Sequence, residues 1–424
     1  YGFTALGVRR IIAIYFENTN DNRFWLGVFE DLKARNLQNI MFLVTPQNKN
    51  IERYYEKFIY INGVELLDFS NANFLGLRDD KRIKEEMKKG IDLYSLNPEI
   101  NKTLMENSDV YFKLANKIRK MSKLSEAIVY SSGYNVNVAL ISTLFKETDV
   151  IFSDSLNSIN ILEGIYLSNA KLIRYKHNDI NDLREKFLKY SEGHERVSVI
   201  TDSIFTMDGE KAKLDEIAKL KEEKDFIFIV DETNANGIFG EHFGGIADEQ
   251  SAIYNVDIVF SYLYKSFGCM GEYVAMTTPM KEMIMQNSLR RDLINKSTIN
   301  PIMAVGTLKA LELAEEERWR RHKVMDLGKI LHNSLSSLGF TLTESETGIV
   351  TIIFETDREV IDISKMLFEN KILAAVTIGK TTIKPRLRFF IGAHFSDEDI
   401  EKVVEKFKII QKEYYVDKNP IEIK

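Results

Sequence analysis

Two short apolar runs, each leading into polar residues, constrain the fold of this chain most. Residues 226–230 are followed directly by Asp231, and residues 256–260 are followed a few positions later by Lys265. Short runs that are apolar throughout are typical of strands buried on both faces of a parallel sheet. Because open α/β sheets bind ligands beyond the carboxyl ends of their strands, the sequence predicts that a carboxylate and an amine meet at one sheet edge.

The middle of the chain alternates between strand and helix patterns. Strand-like runs at 127–130, 150–152, 170–175 and 197–201 precede helical patterns that begin near residues 136, 158, 180 and 214. This alternation predicts an α/β fold with a mostly parallel central sheet and helices on both faces. Residues 301–336 are predicted to be one long helical stretch that leads into a smaller C-terminal α+β domain.

We predict four regions from these patterns. They are an appended βαβ-like segment (1–45), an N-terminal segment with a hairpin that turns at Asn62-Gly63 (46–100), a large domain (101–300), and a linker helix with a small C-terminal domain (301–424).

Composition excludes several classes of protein. A formal net charge of −6 argues against a nucleic-acid surface, and a single cysteine, Cys269, excludes an intramolecular disulfide framework. No apolar run is long enough to span a membrane, and the start of the chain has no signal-peptide pattern. We therefore expect a cytoplasmic protein with no nucleic-acid partner, no membrane span and no metal site.

The pair formed by Asp231 and Lys265 predicts a particular chemistry. An enzyme that uses pyridoxal 5'-phosphate (PLP) needs a carboxylate facing the ring nitrogen and a lysine that forms a Schiff base with the cofactor. A lone lysine after a strand is more often a solvated charge, and an isolated Asp-Glu pair is often a helix cap. The surrounding motifs decide between these interpretations.

Eight motifs carry a family resemblance. They occur in this order: SNANFLGL, YSSGYNVN, FSDSLNSINILEG, KHNDINDL, SIFTMDGE, IVDETNANGIFGEHFGG, VDIVFSYLYKSFGCMGEY and RLRFFIGAHF. With them, residues from about 60 to 410 resemble the α-oxoamine synthases, which are PLP-dependent enzymes of fold type I. The resemblance implies PLP as the cofactor. It also implies an acyltransferase that condenses an amino acid with an acyl thioester, usually with loss of carbon dioxide, to give an α-amino ketone.

The resemblance also assigns cofactor contacts. Lys265 takes the position of the Schiff-base lysine, whose freed amine could then move the α-proton of the substrate. Asp231 takes the position of the partner of the ring nitrogen. Gly133 and Tyr134 match the turn that presents backbone N–H groups to the phosphate, and Thr206 matches a hydroxyl that contacts the ring oxygen.

Substrate and subunit contacts are implied in the same way. Asn71 and Arg388 match positions that hold the substrate carboxylate, with Arg386 as a neighbouring alternative for the arginine. Ser297 matches a residue that reaches the phosphate of the neighbouring subunit. The family is dimeric, so we expect a homodimer, with a heterodimer as the alternative.

Four positions depart from the family pattern. Ser158 replaces the histidine that stacks on the cofactor ring, and Asn234 replaces a second histidine that contacts the ring oxygen. Tyr262 replaces a phosphate-binding threonine, and Glu272 replaces a tightly packed glycine. An amide can donate a hydrogen bond as imidazole does, but it cannot titrate near neutral pH.

The departures leave three functions open. The first is the condensation just described, which the retained Lys265 favours. The second is a catalytically impaired partner subunit of an α-oxoamine synthase, which the losses around the ring favour. The third is a related PLP-dependent aldolase or aminotransferase chemistry. The sequence does not choose the amino acid, the acyl chain, or coenzyme A over a carrier protein.

Residues 1–45 resemble a different family. The segment FWLGVFEDLKARNLQNIMFLV is similar to part of the catalytic core of the mutator-type transposases. The acidic metal ligand expected after its last strand is absent, because the chain continues as Thr45-Pro46. We therefore expect an appended segment without transposase activity.

Overall fold

The computed structural model of the chain describes residues 2–3, 9–10, 51–55, 57–61, 64–94, 109–131, 133–286, 299–379 and 384–416. The strands and helix predicted within residues 10–44 lie outside these ranges beyond residue 10, as do the Asn62-Gly63 turn and Ser297. The described chain forms two compact units. The sheet unit consists of Asn73–Thr206 and Lys211–Arg321, and the terminal unit of Tyr1–Ala72, Met207–Glu210 and His322–Lys424.

The strands and helices are numbered in chain order. The strands are β1 (Gly2–Phe3), β2 (Arg9–Arg10), β3 (Ile51–Tyr55), β4 (Phe58–Ile61), β5 (Val64–Asp68), β6 (Glu126–Tyr130), β7 (Val150–Asp154), β8 (Lys171–Tyr175), β9 (Val197–Asp202), β10 (Ile227–Asp231), β11 (Ile258–Tyr262), β12 (Glu272–Met276), β13 (Ile349–Ile353), β14 (Ile372–Leu373), β15 (Ala375–Thr377) and β16 (Arg386–Phe390). The α-helices are α1 (Lys81–Leu93), α2 (Asp109–Ser122), α3 (Gly133–Leu144), α4 (Ile159–Ser168), α5 (Ile180–Tyr190), α6 (Leu214–Glu223), α7 (Ile246–Glu249), α8 (Tyr264–Phe267), α9 (Thr278–Met285), α10 (Pro301–Glu316), α11 (Trp319–Ser337), α12 (Asp357–Glu369) and α13 (Asp397–Ile410).

A seven-stranded sheet forms the centre of the sheet unit. Its spatial order is β6-β12-β11-β10-β9-β7-β8. The pairs that join β11, β10, β9, β7 and β8 are all parallel, whereas β12 is antiparallel to both of its neighbours. The predicted mostly parallel sheet is therefore confirmed. Its antiparallel strand β12 was not predicted.

Helices α3 and α4 cover one face of this sheet. Ile229 of β10 lies in register with Ile200 and Ile258, and all three belong to a buried cluster that includes apolar residues of both helices. The helices approach closely because Gly164 of α4 lacks a side chain: a Cβ there would lie 2.8 Å from the Cβ of Ile141 in α3. Burial of this cluster holds the start of both helices at the carboxyl edge of the parallel strands.

The long helix predicted over residues 301–336 is wrong in one respect, because it is two helices. Glu317, between α10 and α11, has φ −106° and ψ 57°, which is not helical. The Nε of Arg320 donates to Glu317 over 2.7 Å, and its Nη1 donates to the Leu75 carbonyl over 2.8 Å. These bonds fix the start of α11 against the loop after residue 73, and the periodicity of the sequence does not reveal them.

The terminal unit contains two larger sheets. Strands β13, β16 and β15 form one antiparallel sheet, and β14, β5, β4 and β3 form the other. The predicted hairpin pairing is confirmed, since β4 and β5 are antiparallel. The terminal unit also contains a buried apolar cluster that includes Phe69, Phe389 and Phe407. Among the residues described in both units, no helix is long and apolar enough to cross a bilayer.

Candidate cofactor site

Asp231 and Asp202 end two neighbouring strands of the central sheet. They lie in register at the carboxyl ends of β10 and β9, each two residues beyond an isoleucine of the apolar cluster, so their side chains share the face covered by α3 and α4. Both side chains are buried. The predicted position of Asp231 at the edge of a buried sheet thus matches the structure, and Asp202 adds a second acid beside it.

Asp231 accepts two hydrogen bonds. The Thr233 backbone N–H donates to Oδ1 over 2.9 Å, and Asn137 Nδ2 of α3 donates to Oδ2 over 3.4 Å. Burial raises the pKa of Asp231, while the bonds from Thr233 and the charge of Lys265 lower it. An acid in this position gains stability as an anion once a positive group lies beside it.

Asp202 was missed in the sequence analysis, although it follows a buried strand just as Asp231 does. The backbone N–H of Ser158 donates to its Oδ2 over 2.7 Å, and the Ser158 hydroxyl donates to its Oδ1 over 3.0 Å. Burial and then the charge of Asp231 raise the pKa of Asp202 well above its usual range. The hydroxyl of Ser158 is used to hold this acid.

A hydrogen-bonded chain links Lys265, Asn234 and Thr206. Lys265, on the short helix α8, donates from Nζ to Asn234 Oδ1 over 2.8 Å. Asn234 Nδ2 donates to Thr206 Oγ1 over 2.7 Å and to the Ile204 carbonyl over 3.0 Å. The amide that replaces a family histidine therefore orients the lysine on one side and the threonine hydroxyl on the other.

Tyr262 fills space at the end of β11. Its backbone N–H donates to Thr233 Oγ1 over 3.1 Å, its hydroxyl accepts from Asn160 Nδ2 over 2.9 Å, and its ring stacks on Tyr264 at 5.5 Å between centroids. Burial raises the pKa of the Tyr262 hydroxyl, and the charge of Asp231 adds to this shift. Tyr262 thus remains a neutral phenol that is anchored to α4 through Asn160.

Glu232 connects the end of β10 to the helix that follows. Its carboxylate accepts from the backbone N–H of Ile246 over 3.0 Å and of Ala247 over 2.7 Å, which cap the start of α7. Burial raises the pKa of Glu232 to about 7, against the lowering effect of these bonds. Glu232 therefore stabilises the start of α7, whereas its neighbour Asp231 faces the sheet edge.

Helix α3 begins at the same sheet edge. It starts at Gly133, three residues after β6 ends at Tyr130. The first backbone N–H groups of a helix have no partner within the helix and attract anions. Gly133 and Tyr134 are thus at a helix start, as predicted.

The residues predicted to hold a substrate carboxylate lie in the terminal unit. Arg388 of β16 is buried and donates from Nη2 to Thr377 Oγ1 over 3.1 Å. Burial and the charge of Arg386 lower the pKa of Arg388 to about 10. Arg386 instead lies 2.8 Å from Asp208 in an ion pair. Asp208 therefore balances the charge of Arg386 directly.

Asn71 follows strand β5 in the same unit. Its Nδ2 donates to Asp68 Oδ2 over 3.2 Å and to Ser70 Oγ over 3.0 Å. The Phe390 N–H donates to the Phe69 carbonyl over 2.9 Å, so the chain just before Asn71 runs beside the end of β16. Asn71 is exposed at this turn.

PLP fits the sheet unit. Asn137 Oδ1 and both carboxyl oxygens of Glu272 are buried without a hydrogen-bond partner among the described residues. Buried polar atoms in proteins are nearly always hydrogen-bonded, so these two side chains indicate a polar ligand at this edge. Asp231 suits a protonated ring nitrogen, Lys265 suits an aldehyde carbon, and the start of α3 suits a phosphate.

This fold and cofactor define a PLP-dependent enzyme of fold type I. Residues 65–407 match the family "Aminotransferase class I and II". The chain belongs to that family and, within it, to the α-oxoamine synthases, which are PLP-dependent acyltransferases. The fold and cofactor expected from the sequence motifs are thereby confirmed.

Similar proteins of known name support this assignment. The chain is 32% identical over 346 residues to a putative 8-amino-7-oxononanoate synthase of Halalkalibacterium halodurans, covering 81% of this chain and 86% of that one. It is 31% identical over 367 residues to the 8-amino-7-oxononanoate synthase of Thermosipho melanesiensis, covering 86% and 93%.

Solved structures share the fold. A variant of the serine palmitoyltransferase of S. paucimobilis with a bound PLP–myriocin aldimine superposes with a TM-score of 0.81 at 20% identity, covering 93% of this chain and 98% of that one. The 8-amino-7-oxononanoate synthase of Francisella tularensis gives a TM-score of 0.71 at 25% identity, covering 82% and 97%. Separately, residues 1–60 match the family "Transposase, Mutator family", in line with the resemblance of the first residues.

Proposed function

We propose that this enzyme condenses an α-amino acid with an acyl thioester to form an α-amino ketone, with loss of carbon dioxide, and that Lys265 is its catalytic residue. The observation that carries the proposal is the chain from Lys265 through Asn234 to Thr206, beside the buried Asp231. These hydrogen bonds hold the Lys265 amine at a fixed position at the sheet edge, where Asp231, the proposed partner of the ring nitrogen, also lies. A partner subunit without activity needs no such arrangement.

Each residue of the site has one proposed task. When bound, PLP supplies an electron-withdrawing ring that acidifies the α-carbon of an attached amino acid. Asp231 holds the positive charge of the ring nitrogen, and Asn137 supports Asp231. Lys265 Nζ accepts and returns a proton at the α-carbon, while Asn234 orients this Nζ through a hydrogen bond. Ser158 does not need to touch the ring, because its hydroxyl fixes Asp202.

The substrate carboxylate requires a separate cation. We propose that Arg388 supplies it, with Asn71 as a hydrogen-bond donor. A guanidinium and a carboxylate form two parallel hydrogen bonds, which orient the bonds at the α-carbon. Arg386, the neighbouring alternative, forms an ion pair with Asp208.

The relatives indicate which substrates to try. The product in the name 8-amino-7-oxononanoate has an amine on the carbon next to a ketone. Disconnecting the bond between these carbons gives an alanine-derived fragment and a seven-carbon acyl group that ends in a carboxylate. We propose this pair first, with serine and a long-chain acyl thioester second, as in the named serine palmitoyltransferase.

A thiol-release assay tests the proposal. The enzyme with PLP is mixed with alanine, serine or glycine and with acyl-coenzyme A of several lengths, and free thiol is measured. We expect release with one amino acid and acyl pair, and none with Lys265→Ala. Lys281→Ala serves as a matched control, because Lys281 forms a part-exposed ion pair with Glu126. No release with any pair, including acyl carrier protein thioesters, would contradict a condensing activity.

A catalytically impaired partner subunit remains the second candidate. Three replacements favour it. By the family resemblance, Ser158 replaces a histidine that stacks on the ring, Tyr262 replaces a threonine that binds the phosphate, and Glu272 replaces a glycine. Co-purification with a second α-oxoamine synthase chain, and thiol release only in that mixture, would support it. For the assembly, we propose a dimer, which sedimentation of the PLP-bound protein measures.

A further inference from the structure

Glu272 is a buried acid at the start of β12. Its side chain is fully buried, and neither carboxyl oxygen has a hydrogen-bond partner among the described residues. A buried ionised carboxylate is stable only when it is paired. Such an acid carries its own proton, meets a polar group of a ligand or of another subunit, or does both.

The register of the sheet places Glu272 beside the start of α3. It begins β12 and lies opposite Tyr130, the last residue of β6, and opposite Tyr262, the last residue of β11. The neighbouring positions Val274 and Ile128 on the same face belong to the cluster under α3 and α4. Glu272 is thus on the face that α3 covers, at the edge where α3 begins.

The backbone at this edge is close-packed. Gly271 has φ +138°, and a Cβ on it would lie 2.9 Å from the carbonyl oxygen of Tyr130. The Leu263 N–H donates to the Gly271 carbonyl over 2.9 Å. These contacts hold the start of β12 against the loop that leads into α3, so Glu272 has little freedom to turn toward water.

The charged groups around Glu272 favour its neutral form. Burial raises its pKa well above the usual range, and the negative charge of Asp231 raises it further. A neutral carboxyl group has one O–H donor, in contrast to the carboxylate, which only accepts. A donor beside the first N–H groups of a helix adds to an anion site, whereas a carboxylate there would repel the anion.

We propose that Glu272 is a protonated carboxylic acid that donates a hydrogen bond to the phosphate of PLP at the N-terminus of α3. The proposal rests on the assignment of the phosphate to that helix start. It gives the chain a neutral acid where related enzymes have a glycine. Glu272 thereby contributes to the recognition of the phosphate.

Comparing two ligands isolates the phosphate. Protein freed of cofactor is titrated with PLP and with pyridoxal, which has the same ring and aldehyde but no phosphate, and the visible absorption band reports binding. Glu272→Gln keeps a neutral donor, and Glu272→Leu removes it at similar volume. We expect Glu272→Gln to bind both ligands as the parent does. We expect Glu272→Leu to bind PLP roughly 10- to 100-fold more weakly, with pyridoxal affinity unchanged.

Controls separate this effect from damage to the strand. Tyr273→Phe alters the next buried residue, which points to the opposite face of β12, and should leave both affinities unchanged. If Glu272→Leu does not fold, Glu272→Ala takes its place in the comparison.

Three outcomes would overturn the proposal. They are parallel weakening of PLP and pyridoxal, tighter PLP binding by Glu272→Leu, and a change of oligomeric state in both Glu272 variants, which would mean that the acid pairs across a subunit interface. If the parent binds no PLP at Lys265, the proposed function fails instead. If the parent binds PLP and Glu272→Leu keeps the parent's preference for PLP over pyridoxal, only this inference fails.

Discussion

Asn234 uses every part of its amide group. Its oxygen accepts from Lys265, and its nitrogen donates to Thr206 and to the Ile204 carbonyl. A neutral histidine has one donor and one acceptor, so the amide can replace it in holding a lysine and a hydroxyl together. The substitution retains the geometry of these contacts and removes the ability to titrate near neutral pH.

Removing this amide should impair catalysis more than removing its neighbour. Asn234→Ala removes the hydrogen bond from Lys265 Nζ to Asn234 Oδ1 and the bond from Asn234 Nδ2 to the Ile204 carbonyl, so we expect kcat to fall roughly 10- to 100-fold. Thr206→Val removes one of the two bonds made by Nδ2 and should reduce kcat only a few-fold, as expected for one neutral hydrogen bond. Steady-state kinetics on both variants measure this. Equal losses would show that the hydroxyl of Thr206, rather than the aim of the lysine, limits the reaction.

Arg388 and Arg386 should respond differently to the same change. Arg388→Lys removes the bidentate geometry at the proposed carboxylate contact, so KM for the amino acid should rise roughly 10- to 100-fold while the PLP band stays unchanged. Arg386→Lys disturbs a buried ion pair with Asp208 and should lower the unfolding temperature instead. A KM increase confined to Arg386→Lys would show that Arg386, rather than Arg388, binds the substrate carboxylate.

The sequence predicted Asp231 and Lys265 at the sheet edge because each follows a short apolar run that is typical of a buried strand. It did not predict Asp202, although the same pattern precedes it, because Asp202 lies just outside the eight motifs that carry the resemblance. Nor could it reveal that Ser158 holds Asp202, since this bond joins the start of α4 to the end of β9, 44 residues apart in the chain. Contacts of this kind depend on the register of the sheet.

Among the elements, the short helix α7 depends on one carboxyl group. Glu232 accepts the first two N–H groups of α7 and is fully buried, with its pKa raised to about 7. A raised pKa means that the folded protein binds this proton more tightly than the unfolded chain does. The stability it contributes is therefore complete below the unfolded pKa of 4.5 and is lost as pH rises through about 7.

This linkage predicts a pH-dependent unfolding temperature. Between about pH 5 and about pH 8 the parent should lose up to about 3 kcal/mol from this group. Glu232→Gln does not titrate, so its unfolding temperature should fall less over the same range. Thermal unfolding of both proteins, followed by circular dichroism, measures the difference. An identical pH dependence would show that Glu232 is ionised in the folded protein throughout.

Strand β12 and the break between α10 and α11 were harder to predict than the parallel strands. β12 begins with a charged residue, Glu272, directly after a glycine, which hides its strand character. The break at Glu317 depends on bonds from Arg320 to distant residues. Local patterns predict an element when its burial is uniform, and they fail when tertiary contacts set its boundary.

For the whole molecule, the family match begins at residue 65, whereas residues 1–60 match an unrelated family. The first strands and helices of the sheet unit lie entirely within the family match. A protein that starts at Pro46 should therefore bind PLP and release thiol as the full chain does. Titration with PLP and the thiol assay on both forms test this. Loss of PLP binding in the shorter form would show that the appended segment supports the fold.

The central claim is that Lys265 binds the cofactor covalently. Treating the PLP-bound protein with borohydride reduces a Schiff base to a stable secondary amine, and peptide mass spectrometry then locates the modified lysine. The account predicts modification at Lys265 in the parent, and its disappearance in Lys265→Ala with Lys281→Ala unaffected. Modification spread over surface lysines and unchanged by Lys265→Ala, or no modification at all, would contradict it.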